Sequence, residues 1–95
     1  MTYELGFLEP ALKEWHKLDA QTRDQFRKKL RARLEQPRVP SAKLSGHPDR
    51  YKIKLRQIGY RLVYEVRVAE VIVLVIAVGR RDRDAVYRLA AQCDA

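Results

Sequence analysis

The chain has 95 residues, about the size of one domain, which leaves no room for a separate cofactor domain. Its 20 Lys+Arg against 12 Asp+Glu give a formal net charge of +8, and the pI near 10.0 points to a polyanionic partner, nucleic acid first. A single cysteine, Cys93, excludes an internal disulfide, and no Cys/His cluster has zinc spacing, so a reducing, cytoplasmic setting is expected.

The longest apolar run, residues 71–78, falls far short of the roughly 18 to 20 residues that cross a bilayer. The N-terminal residues lack the basic, hydrophobic and small-residue succession of a signal peptide, so a soluble protein with no membrane role is expected. Residues 1–40 hold nine basic and six acidic side chains, and residues 41–95 hold eleven and six, so the larger excess lies in the second half.

In chain order, Tyr3, Leu5 and Phe7 alternate, which predicts a short strand over residues 2–7. Pro10 suits the first turn of a helix, and Leu12, Trp15 and Leu18 keep helical spacing after it. Asp19 is the expected N-cap of a second helix whose apolar residues Phe26, Leu30 and Leu34 recur every fourth position, and which must stop before Pro37. Arg23, Arg27, Lys28 and Arg31 make its other face. Residues 38–48, with Pro40, Ser41, Gly46 and Pro48, have turn composition and read as a surface loop.

Three strands follow. Tyr51, Ile53 and Leu55 alternate with Lys52, Lys54 and Arg56, a turn signal spans residues 57–59, and Leu62, Tyr64 and Val66 alternate with Arg61, Val63, Glu65 and Arg67. The pattern is a hairpin with one basic face. Residues 71–78 are apolar at every position, as in an inner strand covered on both sides, with Gly79 as the expected end. Asp82 or Asp84 can cap a last helix holding Val86, Leu89 and Ala90. The order is therefore β-α-α-β-β-β-α, one α+β domain over residues 1–95 with a small, mainly antiparallel four-stranded sheet.

The basic side of the hairpin carries the chemical signal. Strand side chains alternate with period two, so Lys52 and Lys54 share a face, and Arg61 of the neighbouring antiparallel strand can join them. At about 7 Å and an effective dielectric near 20, two ammonium groups repel by roughly 2 kcal/mol before salt screening, which lowers a lysine pKa. Such a cluster is poor for folding and good for holding phosphate, whose oxygens match arginine forks. A solvated sheet face with scattered charges fits the spacing equally well. A second basic group, Arg80, Arg81 and Arg83, follows the inner strand at a sheet end, where it either reaches phosphate or forms a solvated turn with Asp82 and Asp84. Tyr87 lies one position off the Val86 and Leu89 stripe, facing a groove or packing at the helix edge.

His16 and His47 are too isolated for a metal site, and no phosphate-cradling or nucleophile-elbow motif is present, so no cofactor is expected. Arg23, Arg27, Lys28 and Arg31 suit either RNA backbone or plain solvent.

Taken together, the run from Lys43 and Leu44 through Gly46, Pro48 and Asp49 to Tyr51-Lys52-Ile53-Lys54-Leu55-Arg56, then Gly59-Tyr60-Arg61-Leu62-Val63-Tyr64, then Val78-Gly79, Arg81, Arg83, Val86 and Tyr87, closely resembles the RelE toxins of bacterial toxin–antitoxin systems. Ala11-Leu12-Lys13-Glu14-Trp15 and Lys28-Lys29-Leu30 extend the likeness to nearly the whole chain. The resemblance implies a ribosome-dependent messenger-RNA endonuclease that enters the 30S A site and stops translation. The reaction it implies is attack of a ribose 2′-hydroxyl on the adjacent phosphate, without metal, giving a 2′,3′-cyclic phosphate and a 5′-hydroxyl.

Carried over by residue, the resemblance makes Lys52, Lys54, Arg61, Arg81 and Tyr87 catalytic. Lys54 would protonate the leaving oxygen, Arg61 and Arg81 would hold the phosphate, and Tyr87 would orient the nucleotide. Tyr87 and Lys52 both remain candidates for the base. Arg23, Arg27, Lys28, Arg31, Arg50, Arg56, Arg80 and Arg83 are the wider set expected to touch substrate or ribosome. Where the family often places a further arginine this chain has Ser45, with Arg50 and His47 the nearby substitutes. The resemblance also implies a RelB-type antitoxin that neutralises the toxin, with operator DNA bound only through that complex, in which the toxin acts as co-repressor. A ParE-like toxin acting on DNA gyrase and a non-enzymatic RNA-binding module are the alternatives.

Overall fold

The computed structural model describes residues 2–80, so the expected C-terminal helix, with Arg81, Arg83 and Tyr87, lies outside the described residues. Strand β1 (Glu4–Phe7) precedes helices α1 (Glu9–Lys17) and α2 (Ala20–Glu35), and strands β2 (Arg50–Leu55), β3 (Tyr60–Arg67) and β4 (Ile72–Arg80) follow. The sheet order is β1-β4-β3-β2. β1 pairs parallel with β4, and the other two pairings are antiparallel. The mainly antiparallel α+β expectation therefore holds for these elements.

β1 begins two residues later than the alternation suggests, because the Tyr3 amide donates to the Leu34 carbonyl of α2 (2.9 Å) while the Glu4 amide turns to the Val71 carbonyl. Leu5 is left 38% exposed. In α1, Pro10 occupies the first turn, where its missing N–H costs nothing. Ala11 and Trp15, four apart, are the pair this helix buries, whereas Leu12, expected inward, is 37% exposed. Trp15 packs between Phe7 (5.1 Å between ring centroids) and Phe26 (6.2 Å). Asp19 stands at the N-cap of α2 and accepts a hydrogen bond from the Thr22 hydroxyl, which holds its carboxyl below the usual carboxylate range. Phe26 and Leu30 are fully buried and Leu34 packs against the same core, as their spacing requires.

The segment 38–48 is not wholly a surface loop. Pro40–Ala42 form one turn of 3-10 helix that buries Ala42, and Lys43 bridges to Tyr51. The hairpin turn spans residues 56–59, closed by the Gly59 amide on the Leu55 carbonyl (2.8 Å) with Gly59 at φ 79°, a region glycine enters at no steric cost. Tyr51, Ile53, Leu55, Leu62, Tyr64 and Val66 face the helices and are buried.

β4 is inner, as expected, but starts at Ile72 and runs through Gly79, which pairs with Arg61 instead of ending the strand. Val71 ends a 3-10 turn (Val68–Glu70) in the left-handed region at φ 55°. A β-branched residue there is strained by about 1–2 kcal/mol. Val71→Asn is accordingly expected to raise stability by about 0.5–1 kcal/mol, since Asn tolerates that region, and chemical denaturation would show it as a higher midpoint. Opposite the Val63/Tyr64 step the register jumps from Ala77 to Val75, so Ile76 is an extra residue. This bulge lets Ile76 and Ala77 both pack with Val63 in a second buried cluster, away from the helices' core.

Candidate active site

Two features of β2 and β3 build the basic site. The buried alternation of Tyr51, Ile53 and Leu55 turns the intervening lysines to the opposite face, and the register sets Lys54 directly across from Arg61. Lys52, two residues along the same face, lies across from Val63. All three cations are half-buried. Lys54 and Arg61 then line a cleft of about 240 Å³ with Leu55, Arg56 and Tyr60 at the turn end of the hairpin.

The charges act on one another. The Lys52 ammonium, chiefly, and partial desolvation, then Arg61, hold the Lys54 pKa below its ordinary value of 10.5. The like-charge repulsion foreseen from the sequence is therefore present. A site of crowded cations stabilises a bound anion, because each phosphate oxygen relieves repulsion already built into the fold. Cations of this kind hold an oxyanion and not a metal ion. Lys52→Met is expected to move the Lys54 pKa up toward the ordinary lysine range, read from the ε-carbon in an NMR titration; an unchanged value would show that Lys52 is not the cause.

The remaining expected residues divide by position. Arg80 is the last residue of β4, across from Tyr60, and Arg56 is exposed beside the cleft. Lys28 and Arg31 are exposed on α2, Arg23 is half-buried, and Arg27 is spent locally on Asp24 (3.4 Å) and over the Trp15 ring (6.0 Å). Arg50 stands apart from these exposed cations. It is only 8% exposed, with its Nε 3.5 Å from the Glu65 carboxylate across the ladder, a contact that serves the fold. Ser45 is exposed and His47 half-buried in the loop before β2.

Arg33 went unremarked in the sequence. Its Nη1 donates to the Tyr64 hydroxyl (2.8 Å) and to the Lys52 carbonyl (3.4 Å), and its guanidinium lies 5.7 Å from the Tyr64 ring centre. Tyr64 in turn donates to the Pro37 carbonyl (2.6 Å) and stacks on Tyr51 (5.6 Å), and burial pushes its phenol pKa up. The available signal was spacing: Arg33 is seven residues after Phe26 and three after Leu30, on the flank of the buried stripe. A second cleft, of about 380 Å³, lies at the other end of the hairpin, where Arg38 pairs with Asp49 (2.9 Å) and Arg67 with Glu65 (3.0 Å).

This fold and this basic hairpin are those of a type II toxin. Residues 5–85 match the family model of the ParE toxin of type II toxin-antitoxin systems, parDE, and the chain belongs to that family of RelE/ParE toxins. Within it the chain is RelE-like. It is 54% identical over 92 residues to the mRNA interferase toxin RelE of Escherichia coli K12, with 97% of each chain covered. A mutant of the E. coli toxin RelE in the free state matches its structure with a TM-score of 0.90 at 52% identity, covering 97% of each chain. The intact E. coli RelBE toxin–antitoxin complex contains a chain matching at TM-score 0.80 and 56% identity, over 82% of this chain and 95% of that one.

Proposed function

We propose that this chain is a ribosome-dependent messenger-RNA endoribonuclease of the cytoplasm that cleaves the codon exposed in the 30S A site and so stops translation. The observation that carries the reading is the half-buried set Lys52, Lys54 and Arg61 on one sheet face, with the Lys54 pKa depressed, in a chain 54% identical to an mRNA interferase. The ribose 2′-hydroxyl attacks the neighbouring phosphate, its proton passing to Tyr87 as the phenolate or to Lys52 as the neutral amine. The P–O5′ bond breaks, Lys54 delivers a proton to the departing oxygen, and the products are a 2′,3′-cyclic phosphate and a 5′-hydroxyl. Arg61 and Arg81 hold the charge that develops on the phosphoryl oxygens, and Tyr87 orients the nucleotide.

A depressed pKa makes Lys54 a stronger acid than a free lysine. Its contribution to the rate is therefore lost as pH rises through that lowered pKa. Lys28 and Arg31, with Arg23, Arg56, Arg80 and Arg83, supply attraction for ribosomal and messenger phosphates. A RelB-type antitoxin neutralises the toxin, and the pair binds operator DNA through the antitoxin with the toxin as co-repressor.

The test is to map messenger ends in a translating extract after adding the protein. New 5′-hydroxyl ends within codons positioned in the A site are expected, and 5′-phosphate ends would overturn the mechanism. The family model also takes its name from ParE. Loss of gyrase supercoiling with messenger left intact would establish that second reading.

A further inference from the structure

We propose that Arg33 is a positioning residue for the RNA-cleaving site: from α2 it holds the backbone of β2 at Lys52 and so sets where the two lysines of that strand stand. The inference rests on the proposed cleavage activity. Its ground is the contact set of one nitrogen. Arg33 Nη1 donates to the Lys52 carbonyl (3.4 Å) and to the Tyr64 hydroxyl (2.8 Å), which itself donates to the Pro37 carbonyl just beyond the end of α2 (2.6 Å). One guanidinium thus joins α2, the chain leaving α2, β3 and β2.

β2 needs such a tie. Among the described residues it is the edge strand of the sheet, hydrogen-bonded to β3 on one side only, save for the isolated bridge from Lys43 to Tyr51. Among the described residues, the strand that carries both site lysines therefore has a single full ladder, in which Lys54 faces the like charge of Arg61. The cross-strand partner of Lys52 is Val63, which is buried but cannot fix Lys52 by charge or hydrogen bond. Arg33 works from the helix side of the sheet, where Tyr64 and Tyr51 stack at 5.6 Å, and reaches only the main chain of Lys52. Its side chain accordingly touches no substrate and acts through the strand. Displacement of a reacting group by about 1 Å can cost as much as 10²-fold in rate, so loss of this anchor should appear in the chemical step and not in encounter with the ribosome.

The experiment compares Arg33→Ala, Arg33→Lys and Leu34→Ala in single-turnover cleavage of ribosome-bound messenger, alongside ribosome affinity and thermal melting. Leu34 packs in the core from the same helix and serves as the stability control. Arg33→Ala is expected to lower the rate at saturating ribosomes by roughly 10-fold or more with the Kd for ribosomes unchanged. Arg33→Lys, whose ammonium can still donate to both oxygens, should recover to within about 3-fold of wild type. Leu34→Ala should melt earlier and cleave at the wild-type rate once folded. Three results would each overturn the proposal: a wild-type rate in folded Arg33→Ala, a loss confined to ribosome affinity, or an equal loss of rate in Leu34→Ala. Wild-type protein that leaves ribosome-bound messenger intact would instead refute the cleavage activity itself.

Discussion

Lys54→Ala, folded and ribosome-bound, is expected to cleave at least 10²-fold more slowly than wild type in single turnover. Removing a general acid typically costs 10² to 10⁴-fold, and within this patch Lys54 is the group whose acidity the neighbouring charges raise. Arg61→Ala should lose roughly 10²-fold or more, because its guanidinium meets charge that forms only in the transition state. Both side chains stand on the sheet face away from α1 and α2, and removing one cation from a repelling cluster does not threaten the core. Both variants should therefore melt close to wild type, with changes within about 0.5 kcal/mol. Lys28→Ala, on the exposed side of α2, provides the contrast: weaker, salt-dependent association and a nearly unchanged bound rate. Wild-type cleavage by folded, bound Lys54→Ala and Arg61→Ala would remove these residues from the chemistry.

The hairpin was legible in the sequence because two periods agreed. Apolar residues at 51, 53 and 55 and at 62, 64 and 66 can be buried together only if Lys52, Lys54 and Arg61 turn the other way, and the observed register pairs Lys54 with Arg61. Helix α2 was legible for a similar reason, since Phe26, Leu30 and Leu34 define one stripe and Pro37 bars its continuation. Other features depend on tertiary context. Leu12 and Ala11 compete for one inward position of a nine-residue helix, and the smaller residue wins where α1 packs on β4. Neither the left-handed turn at Val71 nor the bulge at Ile76 has a glycine to announce it. Arg33 was missed because its partners are a main-chain carbonyl and a tyrosine 31 positions away, which helical spacing alone does not bring together.

The ion pair of Arg50 with Glu65 yields the largest expected effect on stability. Even positions of β2 place Arg50 with Lys52 and Lys54, yet Glu65 stands across from it in the ladder and draws its guanidinium into a site where the two side chains are 9% and 15% exposed. Arg67 closes on the other carboxylate oxygen at 3.0 Å, so one carboxylate separates two guanidinium groups. Taking that carboxylate away leaves their repulsion in a poorly solvated place. Glu65→Ala is thus expected to cost about 3 kcal/mol, a fall in Tm of more than about 10 °C for a chain of this size. Replacing both members of the pair with apolar residues, Arg50→Met with Glu65→Leu, should cost less than Glu65→Ala alone, because no charge is then buried against another. At a temperature where each variant is folded, both should cleave ribosome-bound messenger at close to the wild-type rate. Loss of cleavage or ribosome binding in Arg50→Met without loss of stability would return Arg50 to the substrate-contacting set.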